Sequence, residues 1–460
     1  MAEALLDKLR ALPHDLGLLT EAEACARYAT DASRVALAPP ALVIRPVDTE
    51  GVAAALSVCH ELGQQVVVQG GLTGLSGGAR VLPDEVALSL ERLRDMAPVD
   101  AIAAQIEVGA GVPLEIVQNA AAAQDLVFGV DLGARGTATI GGMIATNAGG
   151  IRVLRYGMMR AQVLGIEAVL SDGTILSDLR GLEKDNAGLN LSQLFIGSEG
   201  TLGVVTRARL RLHAAPDVTG VALCAVENVE QALSVLARLR RDLGPALTAF
   251  EALWPEVYAG AAGLAGQAPL ATGAGLYLLI EMQGSARALR EDAFEEALMA
   301  ACEDGMLDDV VVAQSGREAT ALWHLRELCT EYSFSLGRLQ PHDLSLPLSE
   351  LSGFVARAET LVAEVDPTAQ VLIYGHLGDG NLHYLVRTDQ GPAVSEAVCT
   401  LAAQLGGSIT AEHGVGLDKR AYLPLVRGAA ERAAACRVIA ALNPGGRLNA
   451  GRVLPPDAGH

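Results

Sequence analysis

Hydrophobic and polar positions divide the first part of the chain into short strands and helices. Residues 41–45 form an apolar run, residues 49–62 carry apolar positions at helical spacing, and residues 66–68 are β-branched. This order predicts a β-α-β unit that ends in glycines. A strand-like segment follows at 85–90, and a later strand leads into a helix with Pro113 near its start, where a helix tolerates proline best.

The pattern changes after the turn-rich segment 213–219. Helices are predicted at 228–241 and 286–303, with a strand at 275–282 between them. We interpret this second region as an α+β domain with an antiparallel sheet.

Composition and charge exclude several classes of protein. The 460 residues suffice for two or three domains, and half of them are hydrophobic, but charges, Gly or Pro interrupt every apolar run before the roughly 18 residues of a membrane span. The N-terminal segment mixes both signs of charge and resembles an amphipathic helix more than a signal peptide. A net charge of −20 with 3% aromatic residues argues against nucleic acid as a partner.

Seven cysteines are scattered singly along the chain, without a Cys-x-x-Cys pair. This usage fits a reducing compartment and argues against a thiolate-rich zinc site. We therefore expect a soluble, cytoplasmic protein without a membrane span.

Three glycine-rich loops carry the first chemical signal. They are "QGGLTGLSGGA" (69–79), "TIGGMIATNAGG" (139–150) and "IGSEGTLGVV" (196–205). Glycine lets a ligand approach backbone N–H groups closely, as a pyrophosphate requires. The first loop matches neither G-x-G-x-x-G nor the Walker pattern, and alone it is as consistent with a flexible loop. Together, the three loops favour a long dinucleotide such as flavin adenine dinucleotide.

A histidine hairpin carries the second signal. Residues 371–374 and 382–386 are strand-like and flank a turn rich in Gly, Asp and Asn, which brings His376 and His383 close enough to share one ion. Two imidazoles alone are more often structural than metal-binding.

The segment "TAEHGVG" (410–416) supplies a carboxylate, Glu412, beside a potential base, His413. Two histidines and one carboxylate with open positions suit Zn²⁺ or another divalent metal that acts on a substrate oxygen. Taken alone, the segment is equally consistent with a helix entry at the surface.

A substrate carboxylate needs a cation. Arg326 and Thr330 are four residues apart, on one face of a predicted helix, and a guanidinium binds a carboxylate through two parallel hydrogen bonds. An exposed pair of Arg326 with Glu331 is the alternative that the residues alone favour.

The three loops, together with "LNPGGRLNAGRVL" near the C-terminus, resemble the FAD-binding flavoproteins of the vanillyl-alcohol-oxidase type. "DLGARGTATIGGMIATNAGGIRVLRYG" and "LFIGSEGTLG" are most similar to the family of D-2-hydroxyglutarate, D-lactate and glycolate dehydrogenases. The resemblance extends from about residue 20 to 455. It implies an α+β fold with a two-subdomain FAD-binding domain (1–213), a substrate- and metal-binding domain with an antiparallel sheet (214–420) and a C-terminal helical segment that returns to the flavin (421–460).

The resemblance also assigns roles to residues. His376, His383 and Glu412 would be the metal ligands, His413 the base, and Arg326 and Thr330, with His413, the substrate-binding residues. No histidine occupies the first loop, so FAD is expected to bind non-covalently. The residues assigned to FAD are Gly70, Gly71, Thr73, Gly74, Leu75, Gly141, Gly142, Asn147, Glu199, Gly203, Val205 and Asn449. The family's Asn-Pro after the last loop is Asn449-Ala450 here.

The expected chemistry is oxidation of a D-2-hydroxy acid to the 2-oxo acid. An alkoxide at neutral pH is costly, and a metal on the hydroxyl and carboxylate lowers that cost. His413, with an ordinary pKa near 6.5, would take the proton while flavin N5 accepts the hydride.

Two departures from the family concern the choice of substrate. Relatives carry a lysine where this chain has Pro341, and D-2-hydroxyglutarate dehydrogenases carry an asparagine where it has Leu385. Both changes remove polar contacts suited to a dicarboxylic acid. Arg338 or His342 is a candidate to compensate for the lysine.

The leading hypothesis is an FAD-dependent, metal-assisted D-2-hydroxyglutarate dehydrogenase. The alternatives are a D-lactate or other small-acid dehydrogenase, an oxidase that uses oxygen, and a flavin-binding subunit of a larger complex. An electron-transfer flavoprotein or a quinone is the expected acceptor, since no NAD fingerprint is present, and the expected assembly is a homodimer.

Overall fold

The chain folds into two compact units. A computed structural model describes residues 2–33, 35, 38–287, 290 and 292–454. The first unit comprises Met1–Gly149, Gly157–Ala215 and Glu412–His460, and the second comprises Gly150–Tyr156 and Pro216–Ala411. The C-terminal segment thus belongs to the same unit as the N-terminal glycine loops.

The strands over the described residues are β1 (Val43–Ile44), β2 (Gln65–Gln69), β3 (Glu85–Ser89), β4 (Gln105–Gly109), β5 (Leu126–Val127), β6 (Val163–Val169), β7 (Ile175–Asp178), β8 (Val204–Arg211), β9 (His213–Ala214), β10 (Val218–Val226), β11 (Leu247–Leu253), β12 (Leu276–Gly284), β13 (Asp309–Val312), β14 (Gln340–Ser345), β15 (Gln370–His376) and β16 (Asn381–Arg387).

The α-helices over the same residues are α1 (Ala2–Arg10), α2 (Ala22–Cys25), α3 (Thr49–Glu61), α4 (Leu114–Ala122), α5 (Ile140–Thr146), α6 (Val153–Tyr156), α7 (Met159–Gln162), α8 (Ser192–Phe195), α9 (Val229–Leu243), α10 (Pro255–Ala265), α11 (Ala293–Glu303), α12 (Gly316–Ser335), α13 (Leu351–Val365), α14 (Gly391–Gln404), α15 (Gly416–Lys419), α16 (Leu423–Val426) and α17 (Ala429–Leu442).

The first unit contains the predicted β-α-β arrangement. Strands β1, β3 and β2 form a parallel sheet in that order, and α3 connects β1 to β2. Helix α3 begins after Asp48, whose side chain accepts a hydrogen bond from Gly51 N at 2.7 Å, an ordinary N-cap. The C-terminal segment extends this sheet, because Val66 bridges in parallel to Leu448.

An antiparallel sheet completes the first unit, with the order β4-β8-β6-β7, beside a short β5-β9 pair. Its apolar face and the buried side of α4 and α5 form one core cluster that includes Ile106, Val117, Ile144 and Leu210. The second glycine-rich segment, predicted as a loop, contains the whole of α5, so Gly141 and Gly142 are helical, and the third loop leads into the start of β8. This core therefore holds both segments.

The second unit is built on a seven-stranded antiparallel sheet with the order β13-β10-β12-β11-β15-β16-β14. Alternate residues of each strand face opposite sides. Helices α9, α11, α13 and α14 cover one side, where Leu278, Ile373 and Tyr384 are buried, and α10 and α12 cover the other, which holds Leu279 and Tyr374. The predicted antiparallel α+β arrangement is confirmed.

Most predicted helix and strand ends lie within two residues of the observed ones. The helix expected at 228–241 is α9, which begins after Asn228, whose side chain accepts a bond from Gln231 N at 2.9 Å. The helix expected at 286–303 begins only at Ala293, and residues 288–289 and 291 of that prediction lie outside the described residues.

Two further expectations concern the whole chain. No helix in the described part of the chain combines the length and the apolar character that a membrane crossing requires. Among the described residues, none of the seven cysteines is joined in a disulfide.

Candidate active site

The first glycine loop follows β2 directly and passes close to other backbone. A Cβ on Gly71 would lie 2.0 Å from the carbonyl oxygen of Thr137, and one on Gly70 would lie 2.6 Å from Thr139 Oγ1. No side chain fits at either position. Glycine is therefore required at both positions by the close approach of Thr137 and Thr139.

Thr139 Oγ1 is buried without a hydrogen-bond partner among the described residues. It lies between Gly70 and Gly142, since a Cβ built on either glycine would be within 3.5 Å of it. Buried hydroxyls are nearly always bonded, so a hydroxyl placed between two glycines suits a ligand oxygen such as that of a phosphate. These residues fit the pyrophosphate of FAD.

The other residues assigned to FAD lie around this cradle or in the nearby core. Thr73 and Leu75 are partly buried, and Gly74 is exposed. A Cβ on Gly141 would lie 2.6 Å from Ala110 Cβ. Val205 is 6% exposed and belongs to the core between β8 and α5, so its side chain faces apolar neighbours.

Asn147 ends α5 in the left-handed conformation, with φ of +53°. Its Oδ1 accepts a hydrogen bond from Arg160 N at 2.8 Å. The third loop approaches the same place, because a Cβ on Gly197 would be 3.5 Å from Asn147 Cβ. The second and third loops therefore meet at this residue.

Glu199 connects the third loop to the segment that contains Glu412 and His413. Its carboxylate accepts hydrogen bonds from Val415 N at 2.7 Å and Gly416 N at 2.9 Å. Burial raises the pKa of Glu199, and the two N–H donors oppose that shift. The first loop contacts the same segment, since Ser76 Oγ lies 3.0 Å from the carbonyl oxygen of His413. The structure thus brings the His413 backbone to two of the three glycine loops.

The C-terminal motif also contacts these loops. Asn449 is 4% exposed, and its side chain accepts from Val68 N at 2.8 Å and donates to the Glu199 carbonyl at 2.6 Å. A Cβ on Gly200 would lie 2.8 Å from Asn449 Nδ2. Asn449 therefore connects β2 to the third loop through its own amide.

In the second unit, the predicted histidine hairpin is confirmed as β15 and β16, but its register differs from a direct pairing of the histidines. His376 lies opposite Asn381, and His383 lies opposite Tyr374. The histidines are diagonal neighbours on one sheet face, with ring centroids 5.2 Å apart and planes at 82°. One nitrogen of each lies within 4.8 Å of the other, a separation at which both can bind one ion.

Each of these histidines has a carboxylate at Nδ1. His376 Nδ1 lies 2.8 Å from Glu251 Oε1, and His383 Nδ1 lies 3.6 Å from Asp343 Oδ1. Asp343 is held in turn by Asn381 Nδ2 at 2.8 Å. The Glu251 carboxylate is placed to accept the Nδ1 proton of His376, which leaves Nε2 of that ring as the ligand atom, the usual outer shell of a histidine–metal site. The 3.6 Å contact of His383 with Asp343 is an ion-pair distance. The two histidines therefore fit a divalent metal.

Helix α12 packs on the sheet face that carries His376 and His383, and three of its polar side chains contact residues of that face. Trp323 Nε1 donates to Glu281 Oε2 at 3.0 Å, Arg326 Nε donates to Glu251 Oε2 at 2.8 Å, and further along Thr330 Oγ1 lies 3.2 Å from the Tyr374 hydroxyl. The spacing of three and four residues places these side chains on one side of the helix. Arg326 pairs with Glu251, so the alternative pair with Glu331 was wrong.

Tyr374 lies between the predicted site residues. The guanidinium carbon of Arg326 is 4.9 Å from the centre of its ring, and the His383 ring centroid is 5.1 Å away. Burial raises the pKa of Tyr374, so its hydroxyl stays protonated at neutral pH. Tyr374 is therefore a neighbour of both Arg326 and His383.

His342 does not take the place of the missing lysine. It is 4% exposed and faces the opposite side of the sheet from Asp343, with Nδ1 3.0 Å from the Tyr384 carbonyl and Nε2 3.0 Å from Ser395 Oγ. Arg338 is exposed in the segment between α12 and β14 and remains a candidate.

Sequence reasoning missed Glu251, although a signal was present. Glu251 is 1% exposed in β11, whose seven residues are all buried. A lone carboxylate in such a strand must be paired. Burial alone would raise its pKa, but His376 and Arg326 hold the pKa of Glu251 below its usual value, so the carboxylate is ionised.

Comparisons with known proteins show the family to which the chain belongs. A family model described as an FAD binding domain matches residues 40–178, and one described as the C-terminal domain of FAD linked oxidases matches residues 215–453. D-2-hydroxyglutarate dehydrogenase of Xanthomonas citri pv. viticola is 38% identical over 466 residues, which cover 98% of this chain and 96% of that protein.

Two other relatives are more distant. Mitochondrial D-2-hydroxyglutarate dehydrogenase of Danio rerio is 36% identical over 419 residues, which cover 90% of this chain and 78% of that protein. A putative mitochondrial D-lactate dehydrogenase of Schizosaccharomyces pombe is 36% identical over 402 residues, with 83% and 76% covered.

Solved structures show the fold. A p-cresol methylhydroxylase with substrate bound superimposes with a TM-score of 0.78 at 14% identity, covering 99% of this chain and 97% of that one. The 4-ethylphenol oxidase from Gulosibacter chungangensis gives 0.75 at 15% identity with the same coverage.

The family models and the relatives define an FAD-dependent oxidoreductase, and its fold is of the vanillyl-alcohol-oxidase type. The chain belongs to the FAD-linked oxidase family, in the group that contains the D-2-hydroxyglutarate and D-lactate dehydrogenases. The resemblance and the fold class inferred from the motifs are confirmed.

Proposed function

We propose that the protein oxidises a D-2-hydroxy acid, with D-2-hydroxyglutarate as the first choice, to the 2-oxo acid with the help of a divalent metal. One observation carries this proposal. Arg326, Thr330, His376 and His383 share a single face of the sheet in the second unit. The identity of 38% to a D-2-hydroxyglutarate dehydrogenase supports the choice of acid.

Arg326 would bind the substrate carboxylate. Its Nε is bonded to Glu251, which is its hydrogen-bond acceptor among the described residues, so both Nη groups remain for a ligand. A guanidinium pairs with a carboxylate in a planar fork, and Thr330 Oγ1, four residues further along the same helix face, would add a third bond.

His376 and His383 would hold the metal, with Glu412 as the third ligand and Zn²⁺ as the first choice. The chain supports this set, because Ala411 N bonds to the Asp343 carbonyl at 3.1 Å and Glu412 is the next residue. When bound, FAD accepts the hydride at N5, and the metal lowers the cost of removing the hydroxyl proton. His413 would take that proton, and the bonds of Ser76 and Glu199 to its segment would keep its backbone in place.

Anaerobic bleaching of the bound flavin tests the proposal. D-2-hydroxyglutarate should reduce the flavin, the L-enantiomer should not, and removal of the metal with a chelator should slow reduction at least tenfold until Zn²⁺ is restored. His413→Ala should keep the flavin spectrum and lose reduction. Bleaching by the L-acid alone, or at an unchanged rate after full metal removal, would contradict it.

A smaller or more apolar acid such as D-lactate is the second candidate. Pro341 and Leu385, which replace the family's lysine and asparagine, lie directly opposite each other in β14 and β16. Leu385 is 5% exposed and on the same face as His383, two residues away. An apolar pair at this place favours a substrate without a second carboxylate.

The remaining expectations concern partners. We propose an electron-transfer flavoprotein or a quinone as the acceptor, a homodimer as the assembly and the cytoplasm as the location. Light scattering gives the mass in solution, and steady-state assays with each acceptor rank them. Stoichiometric hydrogen peroxide would instead indicate an oxidase.

A further inference from the structure

We propose that Glu251 is a positioning residue that couples the substrate-binding Arg326 to the metal ligand His376. The inference rests on the proposed function, since it assumes that these two side chains bind the acid and the metal. It extends that function, because the family motifs do not assign Glu251 a role.

The contacts of Glu251 are divided between two groups. Oε1 lies 2.8 Å from His376 Nδ1, and Oε2 accepts from Arg326 Nε at 2.8 Å. All three side chains are at most 8% exposed. In a buried place such short contacts to an ionised acceptor are strong and directional.

The contact with His376 fixes its tautomer. A carboxylate accepts only, so the proton is assigned to Nδ1 and the lone pair to Nε2. A metal needs that lone pair at the nitrogen that faces it, and a carboxylate behind the ring also raises the basicity of the ligand. Without Glu251, the ring is free to take the other tautomer or to turn.

The contact with Arg326 fixes the guanidinium. Glu251 holds one edge, at Nε, and the Tyr374 ring lies beneath the plane, 4.9 Å from the central carbon. The two remaining Nη groups are then presented in one orientation. Because the Glu251 carboxylate orients both the His376 ring and the Arg326 guanidinium, a movement of one of these side chains is linked to a movement of the other.

A second buried carboxylate on the same face supplies a control. Glu281 is 2% exposed and bonds Arg152 Nε at 3.0 Å and Trp323 Nε1 at 3.0 Å, so it contacts none of the proposed ligands. Glu281→Gln removes a buried charge of the same kind without touching His376 or Arg326.

Glu251→Gln is the test variant. An amide has one acceptor oxygen and one N–H₂ group, so it cannot accept from both His376 and Arg326. Glu251→Asp keeps the charge but is one methylene too short to reach both partners, and it replaces Gln if the Gln variant does not retain flavin.

The affinity for Zn²⁺ is measured by chelator competition on flavin-loaded protein from which metal has been removed, and KM is measured at saturating Zn²⁺. We expect wild type and Glu281→Gln to bind equally. Glu251→Gln should bind 10- to 100-fold more weakly, the usual effect of losing a second carboxylate behind a metal histidine, and its KM for the hydroxy acid should rise severalfold.

The outcomes separate the two proposals. Unchanged Zn²⁺ affinity in both Glu251 variants, with normal binding by wild type, overturns the role of Glu251 and leaves the proposed function intact. Weaker metal binding with an unchanged KM overturns the coupling to Arg326. If wild type itself does not bind the metal, the metal-assisted function and the role of Glu251 both fail.

Discussion

The carboxylate of Glu199 accepts a hydrogen bond from the backbone N–H of Val415, at 2.7 Å. A second bond from Gly416 N at 2.9 Å completes a fork, and Gly414 and Gly416 have positive φ of 75° and 54°. A Cβ on Gly416 would lie 2.1 Å from the Ser76 carbonyl. The glycines after His413 are thus required by contacts with the first and third glycine loops.

We expect Glu199→Gln to weaken the attachment of residues 414–416 to the third glycine loop. The amide accepts only one of the two N–H groups, and its own N–H₂ faces the other, so a buried donor is left unpaired at a cost of about 1–3 kcal/mol. The free energy of unfolding in urea should fall by that amount, and flavin affinity should fall with it.

The control for this change is Glu183→Gln, which alters an exposed carboxylate paired with Arg211 at 2.9 Å. Its effect should stay within about 0.5 kcal/mol. Equal stability of Glu199→Gln and Glu183→Gln would show that the fork is not needed.

A second prediction concerns the first loop. Gly71→Ala should abolish tight flavin binding, because its Cβ would lie 2.0 Å from the Thr137 carbonyl and the loop would have to move. Gly133→Ala is the matched change, since nothing lies within 4 Å of a Cβ there and its φ is not positive. Flavin content after purification, read from the absorbance, compares the two variants. Full flavin content in Gly71→Ala would rule out this cradle.

A third prediction concerns Arg452, which is 0% exposed and binds both oxygens of Glu85 at 2.8 and 2.6 Å. It also donates to the carbonyls of Gly78 and Arg80, which belong to the first loop and its end. Arg452→Met leaves the buried Glu85 carboxylate without its cation, with the N–H of Leu82 at 2.8 Å as a remaining donor, and breaking a buried ion pair in this way costs about 3–5 kcal/mol. The thermal midpoint should fall markedly, and flavin should be lost at a lower temperature than in wild type.

Arg180→Met serves as its control, since Arg180 pairs with Asp178 at 2.8 Å on the exposed surface. Such pairs contribute little. If both variants melt together, Arg452 has no special part in holding the loop.

Local pattern was enough to predict much of the fold. The β1-α3-β2 unit and the β15-β16 hairpin follow from periods of 3.6 and 2 in the apolar positions, which depend on neighbours in sequence. Glycines that lie against other backbone, such as Gly71, can also be recognised from the sequence alone, because no other residue tolerates that approach.

The contact of Glu251 with His376 was beyond local reasoning. The two residues are 125 positions apart, and β11 lies beside β15 only because of the strand order in the seven-stranded sheet. Strand order depends on the packing of the whole unit. The register of the hairpin was also missed, since a turn of four residues sets His376 opposite Asn381.

The suggestion that His342 replaces the family's lysine was wrong, and the alternation of side chains along a strand was enough to exclude it. Successive side chains in a strand point to opposite faces, so His342 and Asp343 cannot both face the predicted site. Asp343 is the residue on the face of His383, and His342 is buried on the other face.

The last prediction concerns the choice of acid. Leu385→Asn places an amide on the sheet face of His383, opposite Pro341, where relatives carry asparagine. If the second carboxylate of a dicarboxylic acid comes near this place, the ratio of kcat/KM for D-2-hydroxyglutarate to that for D-lactate should rise about tenfold or more, which equals roughly 1.4 kcal/mol of transition-state binding. The ratio is internally controlled, because any loss of fold or flavin lowers both rates together.

Pro341→Lys should act in the same direction, although Pro341 is exposed and its effect should be smaller. An unchanged ratio in both variants would place the second carboxylate elsewhere, with Arg338 as the next residue to replace.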